Sequence, residues 1–232
     1  LERDHDAQPI GRDPRREGEL ARGQLRGLHR GDRALERVED RRIPRARRSR
    51  YDDRMLDYSF NELALPNGGK LGLGCCPGNR LTPVAVVPRR GSLGADLKRI
   101  AAWQPHLVLT LMEKDELAYV GAPAAVLAQE FAGLGIDWRH LPIPNLEPPD
   151  HRFEAAWVDL WPHLDKALGQ GGRLFLHCYA GLGRTGTVAS LILMKYGLSP
   201  RDAMRAVRAV RPGSIETFTQ ENYLSTLAMR AP

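Results

Sequence analysis

Hydrophobic and polar positions follow two regimes along the chain. Up to Met55 the larger apolar residues are few and scattered; beyond it they gather into short runs and helical stripes. Leu71–Cys75, His106–Leu111 (HLVLTL), Ile136–Leu141 and Arg173–His177 are short apolar runs of strand length. Between and after them lie stripes at helical spacing over Asp96–Trp103, Ala122–Leu134, Phe153–Leu168, Thr185–Tyr196, Pro200–Val210 and Thr217–Ala228. Gly135 and Gly169 close the second and third of these, Pro162 marks a bend in the third, and Ser199 opens the fifth with Pro200 just inside. Strands separated by helices predict an α/β layered fold around a largely parallel sheet. No internal repeat is present.

Composition refines this. The chain has 232 residues, 42% apolar and 27% charged, and its three Cys cannot staple a chain of that length. The longest apolar stretch, Val188–Met194, falls far short of the roughly 20 residues of a membrane span. No secretory signal opens the chain, and few, odd cysteines predict a reducing, cytoplasmic setting.

The net charge of +6 is unevenly placed. Residues 1–54 carry 16 Arg, no Lys and 12 acids, whereas residues 55–232 are almost balanced. A near-neutral body gives no electrostatic case for nucleic acid as its main partner, and no membrane partner is expected either. The segment 1–54 has too little apolar area to offset ordering entropy, so it reads as a basic, disordered, solvated extension. Its run Arg41–Arg48 is the one feature that resembles a nucleic-acid or membrane-surface arm. Arg without Lys, ahead of a first Met at Met55, is also what an over-extended start site in GC-rich DNA would give. Residues 55–232 suffice for one core and form the expected functional domain.

The chemistry concentrates in RLFLHCYAGLGRTGTVASLILM, Arg173–Met194. A buried strand ends at Cys178, five residues follow, then Arg184-Thr185 and an apolar helix. A loop of that length can curl so that successive backbone N–H groups of Tyr179, Ala180, Gly181, Leu182 and Gly183 point inward as an anion nest. The helix N-terminus adds partial positive charge. Arg184 can grip two oxygens of a phosphate. Cys178 at the base of this field is then favoured as thiolate, a nucleophile placed for in-line attack on phosphorus. Thr185 can hydrogen-bond the sulfur, and His177 is read as orienting the loop through its ring nitrogens. The competing reading is a buried core cysteine beside a glycine turn.

HCYAGLGRTG, His177–Gly186, resembles the signature loop of cysteine-based protein phosphatases. GLGCCPGNRL (Gly72–Leu81), HLPIPNLEPPD (His140–Asp150) and GSIETFTQENYL (Gly213–Leu224) resemble segments of the kinase-associated group of dual-specificity phosphatases. The resemblance spans roughly residues 65–228. It implies a central mixed sheet flanked by helices on both sides. It also implies phosphate-monoester hydrolysis through a phosphocysteine, a phosphorylated protein or peptide as substrate, and neither metal nor cofactor. Gln220 is implied to position the hydrolytic water; its alternative is an exposed helical Gln.

One departure stands out. The family carries an acidic Asp in a loop about thirty residues before the nucleophile, where this sequence has Asn145. Losing a general acid costs roughly 10²–10⁴ in rate. Asp150 and Glu147 are the nearby carboxyls that can substitute, Asp150 having the alternative role of helix cap. Cys75 and Cys76 are either oxidation partners of Cys178 or packed strand-end residues. GGKLGLG lacks Walker spacing, and His106 and His163 lack partners at metal-ligand spacing. Tyr179, Ala180 and Leu182 are not basic, which disfavours highly charged phosphoinositides. For a body of 178 residues the resemblance implies a shallow pocket that accepts phosphotyrosine, with phosphoserine and phosphothreonine as secondary substrates. A phosphate-binding pseudophosphatase is the main alternative to an active enzyme, and a sulfurtransferase is disfavoured by the Arg-Thr pair.

Overall fold

The computed structural model describes residues 58–81, 86–87 and 92–230. The segment 1–54 and its boundary lie outside the described residues. The elements run β1 (Phe60–Ala64), β2 (Lys70–Cys75), β3 (Arg80–Leu81), β4 (Val86–Val87), α1 (Leu93–Ala102), β5 (Leu107–Thr110), α2 (Lys114–Tyr119) and α3 (Ala124–Gly133). They continue with β6 (Asp137–His140), α4 (His151–Gly169), β7 (Arg173–Cys178), α5 (Gly183–Lys195), α6 (Pro200–Val210) and α7 (Phe218–Arg230).

Every strand and helix expected from the hydrophobic pattern is present, and α4 is one element across Pro162. Three pieces escape that pattern: β1, the β3–β4 hairpin and α2. In β1 only Leu63 is buried, as suits an edge strand, and in the six-residue α2 only Leu117 is.

Five strands form one sheet in the order β1-β2-β7-β5-β6. β1 pairs antiparallel with β2 and all other pairs are parallel, so the sheet is mixed and largely parallel, and helices flank it. β5 and β7 lie in the interior of the sheet and are nearly all buried, which explains their continuous apolar runs. The glycines of β2 are explained by β7. Gly72 faces Phe175 in register, and a Cβ there would lie 2.7 Å from the Phe175 ring. The vacated space lets Phe175 pack edge-on against Phe60 and Trp103.

Because β7 is central, its C-terminal residue Cys178 emerges in the middle of the sheet edge where β2 and β5 also end. His177, one residue earlier, ties these strands together. Its Nε2 lies 2.7 Å from Thr110 Oγ1 on β5, and Trp138 Nε1 on β6 donates to the same hydroxyl at 2.9 Å. The Nδ1 nitrogen makes no hydrogen bond of standard geometry among the described residues. Burial pushes the His177 pKa down from 6.5 to about 3, so the ring is neutral at neutral pH.

That depressed value fixes the sign of a pH dependence. As pH falls below about 6.5 the unfolded chain protonates this histidine while the native state does not. Stability is therefore expected to decline between about pH 6.5 and 3, by at most about 1.4 kcal/mol per pH unit from this group. Urea unfolding across that window should show a shallower slope in His177→Gln; an unchanged slope contradicts the neutral, buried histidine.

Candidate active site

Cys178 is 3% exposed and opens the loop that leads into α5. The direction of the loop amides follows from what holds its carbonyls. Cys76 N and Asn79 Nδ2 both donate to Tyr179 O at 3.3 Å. Arg211 Nη2 donates to Ala180 O at 3.0 Å and its Nε to Gly181 O at 2.6 Å. Leu182 O accepts from Gly186 N at 2.8 Å in the first turn of α5. In a trans peptide the carbonyl and the following N–H point opposite ways. With four successive carbonyls held from behind, the N–H groups of Ala180, Gly181, Leu182 and Gly183 turn to the other side, where they form an anion nest. Gly181 is required on two counts. Its φ is +72°, and a Cβ would lie 2.1 Å from Gly74 O.

Arg184 is 2% exposed on the first turn of α5. Its two terminal nitrogens grip Glu116 of α2 at 2.5 and 2.9 Å, and Nη1 also reaches Ile143 O at 3.1 Å. Desolvation pushes its pKa down, but the Glu116 carboxylate and the Cys178 sulfur outweigh this, so the guanidinium is held charged. Glu116 uses the Nη1–Nη2 edge. The Nε–H and the second Nη2–H, which share the other edge, are not engaged by it. A planar guanidinium held this way can offer a second fork to an oxyanion. Arg211 is a second buried guanidinium that interacts electrostatically with Cys178, its own pKa lowered by desolvation. The sulfur thus interacts with two cations at the start of this loop.

Thr185 is fully buried, and its Oγ1 has no hydrogen-bond partner among the described residues. Cys75 and Cys76 are buried and in no disulfide; the Cys75 thiol donates to Asn79 O at 3.4 Å, and burial pushes the Cys76 thiol up. Gln220 is fully buried rather than exposed. Its Nε2 donates to Glu147 O at 3.3 Å and its Oε1 accepts from Glu216 N at 2.9 Å, so it clamps two segments beside the loop. Asn145 is exposed on the stretch between β6 and α4, two residues beyond the carbonyl that Arg184 binds.

Asp150 is the N-cap of α4. Its Oδ1 accepts from Arg152 N and Phe153 N at 3.0 and 3.1 Å, and Arg152 Nε donates to its Oδ2 at 2.8 Å. Partial burial pushes its pKa up, but the hydrogen bonds from Arg152 and Phe153 outweigh this and hold the carboxyl below its ordinary value. Arg152 also reaches Glu113, the N-cap of α2, at 2.7 Å. Asp150 is therefore linked to Arg184 at a distance, through Arg152, Glu113 and the capping box that holds Glu116.

Sequence reasoning missed Glu116, Arg211 and Glu216. Glu216 Oε2 accepts from Gly183 N at 2.8 Å. It stands in the GSIETFTQ stretch, but nothing local marks it as reaching a loop 33 residues away.

Comparison with known proteins agrees with this geometry. Residues 84–224 match the family model described as a Swiss Army Knife protein, DSP-PTPase phosphatase domain. Cyclin-dependent kinase inhibitor 3 of Mus musculus is 31% identical over 157 residues, covering 66% of this chain and 69% of that protein. The mouse dual specificity protein phosphatase CDC14B is 32% identical over 117 residues, half of this chain but only 21% of that one. Among solved structures, kinase associated phosphatase with serine in place of its catalytic-site cysteine aligns with a TM-score of 0.63 and 25% identity. That alignment covers 75% of this chain and 95% of the other. A strand-ending cysteine, an inward-facing amide loop and an arginine on the next helix, found within a matched region of this extent, place the chain in the DSP-PTPase phosphatase family.

Proposed function

We propose that the chain is a protein phosphatase that cleaves phosphotyrosine by preference, and phosphoserine and phosphothreonine secondarily, through a phosphocysteine. The observation that carries this reading is that the carbonyls of residues 179–182 are held from behind, which turns four amides the other way, next to an Arg184 guanidinium that interacts with the Cys178 sulfur. The thiolate attacks phosphorus and the ester P–O bond breaks. The equatorial oxygens, which gain charge in the transition state, meet the amides of residues 180–183 and Arg184. Water then attacks phosphorus, the P–S bond breaks and inorganic phosphate leaves. Thr185, with its buried unpartnered hydroxyl, is suited to bond the departing sulfur.

The substrate assignment is supported by the surroundings of the loop. Exposed Tyr119 follows Glu116 on α2, and exposed Leu146 and Phe218 sit on the two segments that Gln220 clamps. These are surfaces for the apolar flanks of a peptide, and residues 179–183 carry no base for extra phosphates. The three buried cysteines, none in a disulfide, fit the reducing, cytoplasmic setting we assign. Among the described residues no helix is long and apolar enough to cross a membrane. We assign Asp150 to positioning, since its carboxyl is occupied by the α4 cap and Arg152.

Asn145 favours one second reading, a phosphate-binding pseudophosphatase, because an amide supplies no proton. Two measurements decide. Cys178→Ser should abolish p-nitrophenyl phosphate turnover while inorganic phosphate still binds; retained turnover overturns the phosphocysteine. In a working enzyme Asn145→Asp should change phosphotyrosine-peptide turnover by less than about tenfold, whereas a gain of about 10²-fold or more identifies a scaffold that had lost its acid.

A further inference from the structure

We infer that Glu216 is the proton-carrying carboxyl of this site, an assignment that rests on the phosphatase reading above. Gly183 N–H is one of the four amides that turn into the loop, and in the free protein it donates to Glu216 Oε2 at 2.8 Å. A phosphate group that enters the loop must share this edge with a carboxylate one hydrogen bond away. Two like charges at that spacing raise the proton affinity of one of them. Phosphate entry therefore draws one proton into the pair of phosphate and carboxylate, and Glu216 is exposed, so that proton comes from solvent.

The arrangement is built rather than incidental. A Cβ at position 183 would lie 2.5 Å from Glu216 Oε2 and 3.0 Å from Gln220 Nε2, so glycine lets both side chains approach the loop without a shift. Fully buried Gln220 holds the Glu216 backbone N–H at 2.9 Å. The preceding residue, Ile215, is β-branched, 3% exposed and at φ +60°, a conformation such residues rarely adopt. Arg208 holds it there by donating to Ser214 O and Ile215 O, each at 3.0 Å. Strain of this kind persists where the surroundings over-determine it, commonly at functional sites.

Of the other carboxyls, Glu116 is bound to Arg184 and Asp150 caps α4. Glu147 meets Gln220 through its backbone carbonyl, and its exposed carboxyl, unlike that of Glu216, makes no hydrogen bond to an amide of the loop among the described residues. The charged and titratable groups on the elements packed around Glu216 are Cys178, Arg184 with Glu116, Arg211, Arg208 with Glu221, and Glu147. The proton ledger closes over the two steps. As sulfur bonds to phosphorus and the ester P–O bond breaks, the Glu216 carboxyl gives its proton to the leaving oxygen, yielding the alcohol. As water bonds to phosphorus and the P–S bond breaks, the Glu216 carboxylate takes the water proton and the Cys178 thiolate is restored.

The test uses the full chain and Glu216→Gln, whose amide oxygen can still accept from Gly183 N–H and so preserves the fold. Calorimetric binding of inorganic phosphate is measured between about pH 5.5 and 8. The titration of free phosphate is common to both proteins. Wild-type affinity should fall with pH more steeply than that of E216Q, by up to about tenfold more per pH unit. With p-nitrophenyl phosphate, E216Q should release one equivalent of nitrophenolate per enzyme and then turn over slowly as phosphocysteine accumulates. Equal pH slopes overturn the proposal whatever the activity, and so does an unchanged steady-state rate without a burst. A wild-type protein that releases no nitrophenolate defeats the phosphatase reading and the transfer steps with it, while the phosphate slopes still report on Glu216 separately.

Discussion

Four consecutive carbonyls held from behind are the constraint on which this site depends. A peptide unit cannot aim its two polar ends the same way. Pulling the carbonyls of Tyr179, Ala180, Gly181 and Leu182 outward forces the following amides inward. The supports come from three places: the loop after β2, the end of α6 and the first turn of α5. Each is positioned by the sheet order, because β7 lies between β2 and β5. The fold matters to the chemistry chiefly by bringing these three supports to the end of one strand.

Two buried guanidiniums then set the electrostatics. Arg184 is compensated by Glu116 at the surface end of its fork, while Arg211 is compensated by loop carbonyls and by Asn61. Burying a cation without a full counter-charge is costly unless its donors are satisfied, and both are well supplied with acceptors. Around this pair a chain of polar contacts runs from Asp150 through Arg152 and Glu113 to Glu116. The start of α4 and the orientation of Arg184 are therefore set by one connected group of side chains.

How much of this could be read from the chain depends on where each contact partner lies. Cys178, the loop glycines and Arg184 are contiguous, so their spacing alone carries the chemistry. The strands and long helices are legible because their burial is continuous or periodic. β1 is not, since an edge strand with one buried residue leaves no pattern, and its antiparallel pairing is what makes the sheet mixed. Glu116 meets Arg184 across 68 positions and Arg211 meets Gly181 across 30. Such pairings are products of topology, and no local signal announces them. Asp150 is the instructive middle case: its local sequence position permits either a cap or an acid, and only its hydrogen bonds to Arg152 and Phe153 show which demands its oxygens meet. The glycines of β2 lack Walker spacing and carry no chemical signal in the sequence; in space they make room for Phe175.

The contact of Gly181 with Gly74 has a consequence of its own. With no side chain between the loop and β2, the two backbones touch, and the loop cannot relax without disturbing a strand inside the sheet. The conformational entropy of ordering four amide donors is thus surrendered when the chain folds rather than when an anion arrives. An oxyanion meets donors that are already stationary. Affinity in such a site is governed by charge and desolvation at the moment of encounter, and mutations that loosen β2 will weaken anion capture although they touch nothing that touches the anion.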